Sequence, residues 1–122
     1  MGLVKMREIK FKAWCKAKKK LYEVYSISKY EIVVYDTSNQ KEYLCEDCEL
    51  MQYTGLKDKN GVEIYEGDIV RWNRSRSVDD VVDIVVYDKD FLNYRIGRNG
   101  ISFKPQLNNN IEVIGNIYDT PK

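Results

Sequence analysis

The chain has 122 residues, enough for one domain or for two small lobes that share a core, and it needs no metal or disulfide framework to fold. Ten tyrosines with only two prolines are typical of twisted sheets, and a net charge of +1 with many apolar residues argues against disorder. No apolar run reaches the ~18 residues that span a bilayer, and no secretion signal is present. We therefore expect a cytoplasmic protein with no membrane partner.

The first forty residues predict a β-meander. EIKFKAW alternates apolar and lysine side chains, CKAKKK is typical of a polar turn, and LYEVYSI and YEIVVYD are typical of strands. KEYLCEDCELMQ is ambiguous, because Leu44, Cys48 and Met51 would also suit one face of a short helix. We favour two strands about the acidic pair Glu46 and Asp47, since no cap residues frame a helix.

The second half predicts short strands joined by tight turns. Asn60-Gly61 is the preferred pair for a two-residue type I′ hairpin turn, and Gly67 permits a bend before DIVRW. VVDIVVYD, FLNYRIG, ISFK and IEVIGNIYD follow, so that five short strands are expected between residues 68 and 118. This spacing of strands and turns predicts a small antiparallel barrel.

Several kinds of chemistry are excluded or disfavoured. The chain has no histidine, which excludes Ser-His-Asp and Cys-His catalysis and imidazole-dependent metal sites. Cys45 and Cys48 form a CxxC pair with Cys15 elsewhere, but a closed zinc site needs four ligands, and the intervening acidic residues disfavour a reactive thiolate. We interpret the cysteines as free thiols in or near the core, with metal as the alternative, and we expect no cofactor.

Aromatic residues are the candidates for contact with a protein partner or a second copy. Tyr53 and Tyr65, expected to be exposed, and Trp72 could act as anchors, because aromatic rings offer a large contact area at low entropic cost. For each of the three, a packed position in the core is the competing interpretation.

Basic residues offer a second surface, for nucleic acid. Arg71, Arg74 and Arg76 lie around Trp72, a mixture of cations and a stackable ring that suits single strands. Residues 1–20 also hold eight Lys and Arg against one Glu, a net +7 that leaves −6 for the rest. Against this interpretation stand a near-neutral isoelectric point and the common use of lysine to protect edge strands.

Three segments, MREIKFKAW, ELMQYTGLKDKNGVEIYEGDIVRW and EVIGNIYDTP, resemble the YopX-like family of bacteriophage and prophage proteins. The resemblance spans Met6 to about Pro121 and implies a mostly β fold with an N-terminal lobe and a C-terminal part like a small SH3-type barrel. It implies no catalytic residues and is compatible with self-association. Cys15 and Cys48 depart from the residues usual in the family, which makes a family-wide metal or redox role less expected.

These inferences predict one compact unit over residues 1–122, with an N-terminal β-meander lobe (6–54) packed with an SH3-like antiparallel barrel lobe (55–122). The expected function is that of a non-catalytic interaction module of phage origin, acting in the bacterial host cytoplasm through protein partners or self-assembly into an oligomer. The alternative is a nucleic-acid-binding protein. A metal-dependent hydrolase built on the aspartates has no matched ligand spacing to support it.

Overall fold

A computed structural model describes residues 10–73, 80–89, 93–97 and 110–118, and their regular structure is β-strand. The strands are β1 (Phe11–Cys15), β2 (Lys20–Ile27), β3 (Ile32–Asp36), β4 (Lys41–Cys45), β5 (Cys48–Lys57), β6 (Glu63–Tyr65), β7 (Asp68–Trp72), β8 (Val81–Asp88), β9 (Asn93–Ile96) and β10 (Ile111–Asn116). The described residues include no helix long and apolar enough to cross a membrane.

The N-terminal sheet has six strands in the order β4-β3-β2-β1-β5-β6, with antiparallel neighbours. The predicted meander is confirmed, and so are the two strands that flank Glu46 and Asp47. Strand β1 is central, because Ala13 lies opposite Tyr22 of β2 on one side and Leu50 of β5 on the other.

This sheet coils strongly on itself. Strands β2 and β3 lie between β1 and β4 in the hydrogen-bonding order, so a flat sheet would hold β1 and β4 about 14 Å apart. Instead, the Sγ atoms of Cys15 on β1 and Cys45 on β4 lie 2.7 Å apart. A bulge in β2 between Val24 and Ser26 adds local twist. The concave face therefore encloses a small core of its own, which includes Ala13 and Val34.

The C-terminal sheet has four strands in the order β10-β7-β8-β9. Its inner face packs with Ile64 of β6 around a second core, whose fully buried members include Val70, Val85 and Ile111. The predicted mostly β fold is confirmed. Where an SH3-like antiparallel barrel was predicted, the described residues of the C-terminal part form a four-stranded antiparallel sheet that is not closed. The predicted strand ISFK lies outside those ranges.

Strands β5 and β6 connect the two parts of the fold. Strand β5 pairs with β1 along its first half and with β6 farther on, where Tyr53 lies opposite Tyr65. Met51 joins the two tyrosines in a third buried cluster on β5 and β6, against which Leu21 of β2 and Tyr118, which follows β10, pack. The predicted boundary between residues 54 and 55 falls inside β5, which runs without interruption to Lys57.

The hairpin between β5 and β6 differs from the predicted type I′ turn, which requires positive φ at both Asn60 and Gly61. Gly61 has φ of 81°, but Asn60 is not in the left-handed region. The carboxylate of Asp58 explains the difference, because its Oδ1 accepts the N–H groups of Asn60 at 2.8 Å and Val62 at 2.9 Å. These bonds favour a longer turn that Asp58 opens and Gly61 closes.

Candidate partner-binding cleft

The predicted anchors Tyr53 and Tyr65 are not exposed, and that prediction is wrong. They are 5% and 1% accessible, and their ring centroids lie 5.4 Å apart in the buried cluster with Met51. The ammonium groups of Lys10 and Lys12 lie over the rings of Tyr53 and Tyr65, at 4.9 and 4.6 Å from the centroids. Both tyrosines are therefore packed core residues, as in the competing interpretation, and not exposed anchors.

The hydroxyl of Tyr65 is also engaged within the protein. It donates a hydrogen bond of 3.3 Å to Oε1 of Glu63, whose carboxylate pairs with Lys10. Burial, followed by the charge of Glu63, raises the pKa of Tyr65 well above its usual range. The hydroxyl is thus a neutral, buried donor at physiological pH.

The remaining predicted site residues lie around β7. Trp72 is half-buried and packs against the core of the C-terminal sheet. Arg71 is partly exposed, but it pairs with Glu112 of β10 at 3.5 Å. Arg74 and Arg76 lie outside the described residues, so the structure does not show these three arginines together. Nucleic-acid binding by this loop stays a prediction.

Five lysines in the described part of the basic N-terminal stretch lie close to acidic or aromatic side chains of the same chain. Lys16 pairs with Glu49 at 3.0 Å and with Asp47 at 3.5 Å, and these contacts, the hydrogen bond to Glu49 foremost, raise its pKa. Further contacts join Lys10 to Glu63, Lys20 to Asp36, and Lys18 to the ring of Tyr43. Part of the positive charge of this stretch is therefore neutralised by carboxylates of the same chain.

A cleft that sequence patterns did not identify lies at one end of the N-terminal sheet. It is a cavity of about 480 Å³ lined by residues 27–32, the turn between β2 and β3, and by residues 44–48, the turn between β4 and β5. Three large apolar side chains on its walls are exposed: Tyr30 at 86%, Leu44 at 53% and Ile27. We refer to this cavity as the cleft.

Local hydrogen bonds fix both sides of the cleft. The hydroxyl of Ser28 accepts the N–H of Glu31 at 3.2 Å, and the backbone N–H of Ser28 donates to the Glu31 carbonyl at 2.9 Å. This Ser-initiated turn places Tyr30 at its tip. On the opposite side, the N–H of Lys16 donates to the Asp47 carbonyl at 3.1 Å and ties that turn to β1. The exposed Tyr30 thus lies on an ordered support.

The cleft combines apolar walls with carboxylates and thiols. The lining includes three carboxylates and a single cation, namely Glu31, Glu46, Asp47 and Lys29. Asp47 also pairs with Lys16, which is not part of the cleft lining. An arrangement of this kind accommodates an apolar group that carries a positive charge nearby. Cys45 and Cys48 also contribute to the lining.

The three cysteines lie close together at this end of the sheet, and their spacing in the sequence did not predict this proximity. Cys15 and Cys45 are buried, as predicted, and Cys48 is half-buried and lies opposite Cys15 in the pairing of β1 with β5. All three are free thiols. Burial raises the pKa of Cys15 to about 11, and it raises that of Cys45 as well. In the described part of the chain, no group of three or more Cys, Asp or Glu side chains has the geometry of a metal site.

Comparisons with known proteins agree with this fold. The crystal structure of protein EF1440 from Enterococcus faecalis is similar over 93% of this chain and 96% of that chain, with a TM-score of 0.66 and 23% sequence identity. No curated protein matches the sequence. The model of the YopX protein family, which is found in phage and prophage proteins, matches residues 10–122. The chain therefore belongs to the YopX family.

Proposed function

We propose that this protein is a non-catalytic interaction module that binds a segment of a partner protein in the cleft. The segment would insert an apolar side chain between Tyr30 and Leu44 and would place a neighbouring Lys or Arg beside Glu31 and Glu46. The observation that supports this proposal is the 86% exposure of Tyr30 on a hydrogen-bonded turn beside a cavity. Because the family is found in phage and prophage proteins, we also propose a phage or prophage origin and a site of action in the bacterial cytoplasm.

The energetics favour a partner at this position. An exposed tyrosine or leucine gains about 1.5–3 kcal/mol when it is fully removed from water, and tyrosines are enriched among the residues that dominate binding. The support of Tyr30 by Ser28 lowers the entropic cost of binding, because the turn is ordered before the partner arrives. Carboxylates at the same cavity favour a basic segment over an acidic one.

A selection from mRNA-displayed random peptides against the full-length protein tests the proposal. We expect the selected peptides to share an apolar residue next to Lys or Arg. Tyr30→Ala and Leu44→Ser should each weaken their binding about tenfold, the equivalent of ~1.4 kcal/mol. Val82→Ser is the matched control, because Val82 is also a 53% exposed apolar residue but lies on β8 of the other sheet. It should leave affinity unchanged.

Three results would overturn the proposal. The first is a selection that enriches no peptide or only peptides without a basic residue. The second is equal weakening by Leu44→Ser and Val82→Ser, which would indicate non-specific adhesion. The third is sedimentation of the unmodified protein as a dimer that Leu44→Ser converts to a monomer, because the occupant of the cleft would then be a second copy.

A further inference from the structure

We infer that Cys15 and Cys45 are a redox-sensitive pair that a low-molecular-weight disulfide oxidises to an intramolecular disulfide, while Cys48 remains a thiol. The inference concerns covalent modification of the N-terminal sheet and does not depend on the binding proposed for the cleft. It rests on three observations: the distance between the two sulfur atoms, the coiling of the sheet that produces this distance, and the access that the cleft gives to one of them.

The distance between the two thiols is already close to that of a bond. Their Sγ atoms lie 2.7 Å apart, and an S–S bond is about 2.05 Å long, so small side-chain movements suffice to form it. Cys15 and Cys45 are 30 residues apart in sequence and lie on strands that are not neighbours in the sheet. The bond would therefore join β1 directly to β4 and would hold the coiled sheet closed.

The cleft gives a small oxidant access to one member of the pair. Cys45 lines the cavity, whereas Cys15 lies behind it in the core of the coiled sheet. The Cys45 thiolate would attack a small disulfide, RSSR, forming a mixed disulfide and releasing one RS⁻, which takes up a proton. The Cys15 thiolate would then attack Sγ of Cys45 and release the second RS⁻. In total the protein loses two protons and two electrons, and RSSR takes them up to become two RSH.

Protonation slows the oxidation of the pair at neutral pH. Burial raises the pKa of the Cys15 thiol to about 11, and the pKa of Cys45 is also raised, so both thiols are protonated at neutral pH. Because only the thiolate attacks a disulfide, the oxidation rate should rise about tenfold per pH unit between about pH 7 and 9. This dependence of the oxidation rate on pH is an additional expectation, and the inference itself rests on the short distance between the two sulfur atoms.

The test treats the full-length protein with oxidised glutathione, blocks the remaining thiols with N-ethylmaleimide, and measures the intact mass and the disulfide-linked peptides. We expect one free thiol in the unmodified protein, against three under reducing conditions. The Cys48→Ser variant should have none after oxidation, and a Cys15–Cys45 link should be found in both proteins. The link closes a loop of about 30 residues, so the oxidised Cys48→Ser protein should melt on the order of 10 °C higher than its reduced form.

Two outcomes would overturn the inference. One is an unmodified protein that retains three free thiols, or only a mixed disulfide with glutathione, after the reduced protein has been shown by circular dichroism to be folded. The other is a Cys15→Ser variant that forms an intramolecular disulfide as fast as the unmodified protein does, because the reactive pair would then be Cys45 and Cys48.

Discussion

Replacement of Asp58 is expected to cause a large loss of stability, because one side chain organises a hairpin and attaches it to another strand. Asp58 is buried, and its Oδ1 accepts the N–H groups of Asn60 and Val62 within the turn. Its Oδ2 accepts the N–H of Val113 in β10 at 2.9 Å, from 55 residues farther along the chain. The backbone N–H of Lys59 also donates to the carbonyl of Ile111 at the start of β10.

The magnitude follows from these bonds. A hydrogen bond to a charged group contributes about 1.5–3 kcal/mol, and we assign that value to the bond with Val113. The two bonds inside the turn lie nearer to water, which can replace a carboxylate, so each is expected to contribute about 0.5–1 kcal/mol. Asp58→Ala should therefore lower the free energy of unfolding by about 2.5–5 kcal/mol, a large share of the ~5–15 kcal/mol typical of a domain.

Asp58→Asn is the matched control, because the amide keeps the Oδ1 acceptor but presents N–H donors to the Val113 N–H. It should cost about 1.5–3 kcal/mol, less than Asp58→Ala by the contribution of the two turn bonds. Urea titration followed by fluorescence of the two tryptophans measures both variants. If Asp58→Asn lies within ~0.5 kcal/mol of the unmodified protein, then the bond to β10 does not stabilise the fold and the reasoning fails.

Two further predictions concern a buried carboxyl and a constrained glycine. Burial raises the pKa of Asp68 from 3.8 to about 6, so ionisation costs the fold about 3 kcal/mol, a penalty that is absent below about pH 4 and complete above about pH 7. Asp68→Asn should therefore raise the free energy of unfolding at pH 8 by up to about 3 kcal/mol and leave it nearly unchanged at pH 4; equal effects in urea titrations at both pH values would contradict this. Gly97→Ala should cost about 1–2 kcal/mol because φ is 74°, and the exposed Asp83 carboxylate that the new methyl group meets can rotate away. Gly61→Ala, at φ of 81° with open space around it, should cost about the same, and a clearly larger loss in urea titrations of Gly97→Ala would show that Asp83 cannot move.

Local patterns in the sequence were sufficient to predict most of the strands. Alternating side chains located β1 and β2, and a β-branched run located β3. The absence of helix caps correctly favoured two strands, β4 and β5, about Glu46 and Asp47. The Asn60-Gly61 prediction was wrong because dipeptide preferences take no account of a carboxylate two residues earlier. The Asp58 carboxylate accepts the N–H groups of Asn60 and Val62, and these bonds stabilise a longer turn.

Local sequence patterns predicted less of the candidate site than of the strands. Tyr53 and Tyr65 have side chains suited to binding, but whether a ring faces water depends on its surroundings in the fold, and here the two rings lie opposite each other on β5 and β6 in a buried cluster with Met51. Tyr30 is exposed for a local reason, its place at the tip of the Ser28 turn, and the segment SKYE contained that signal. The meeting of Cys15 with Cys45 depends on coiling over four strands, which a linear pattern does not encode.

The internal contacts of the lysines affect how the response of this protein to salt is interpreted. Added salt weakens exposed ion pairs, and Lys16 and Lys20 form such pairs within the N-terminal sheet. Screening would therefore act on the folded protein itself as well as on any complex with an anionic molecule. A loss of binding at high ionic strength identifies contacts with phosphate groups only when the unfolding free energy, measured over the same range of salt, stays constant.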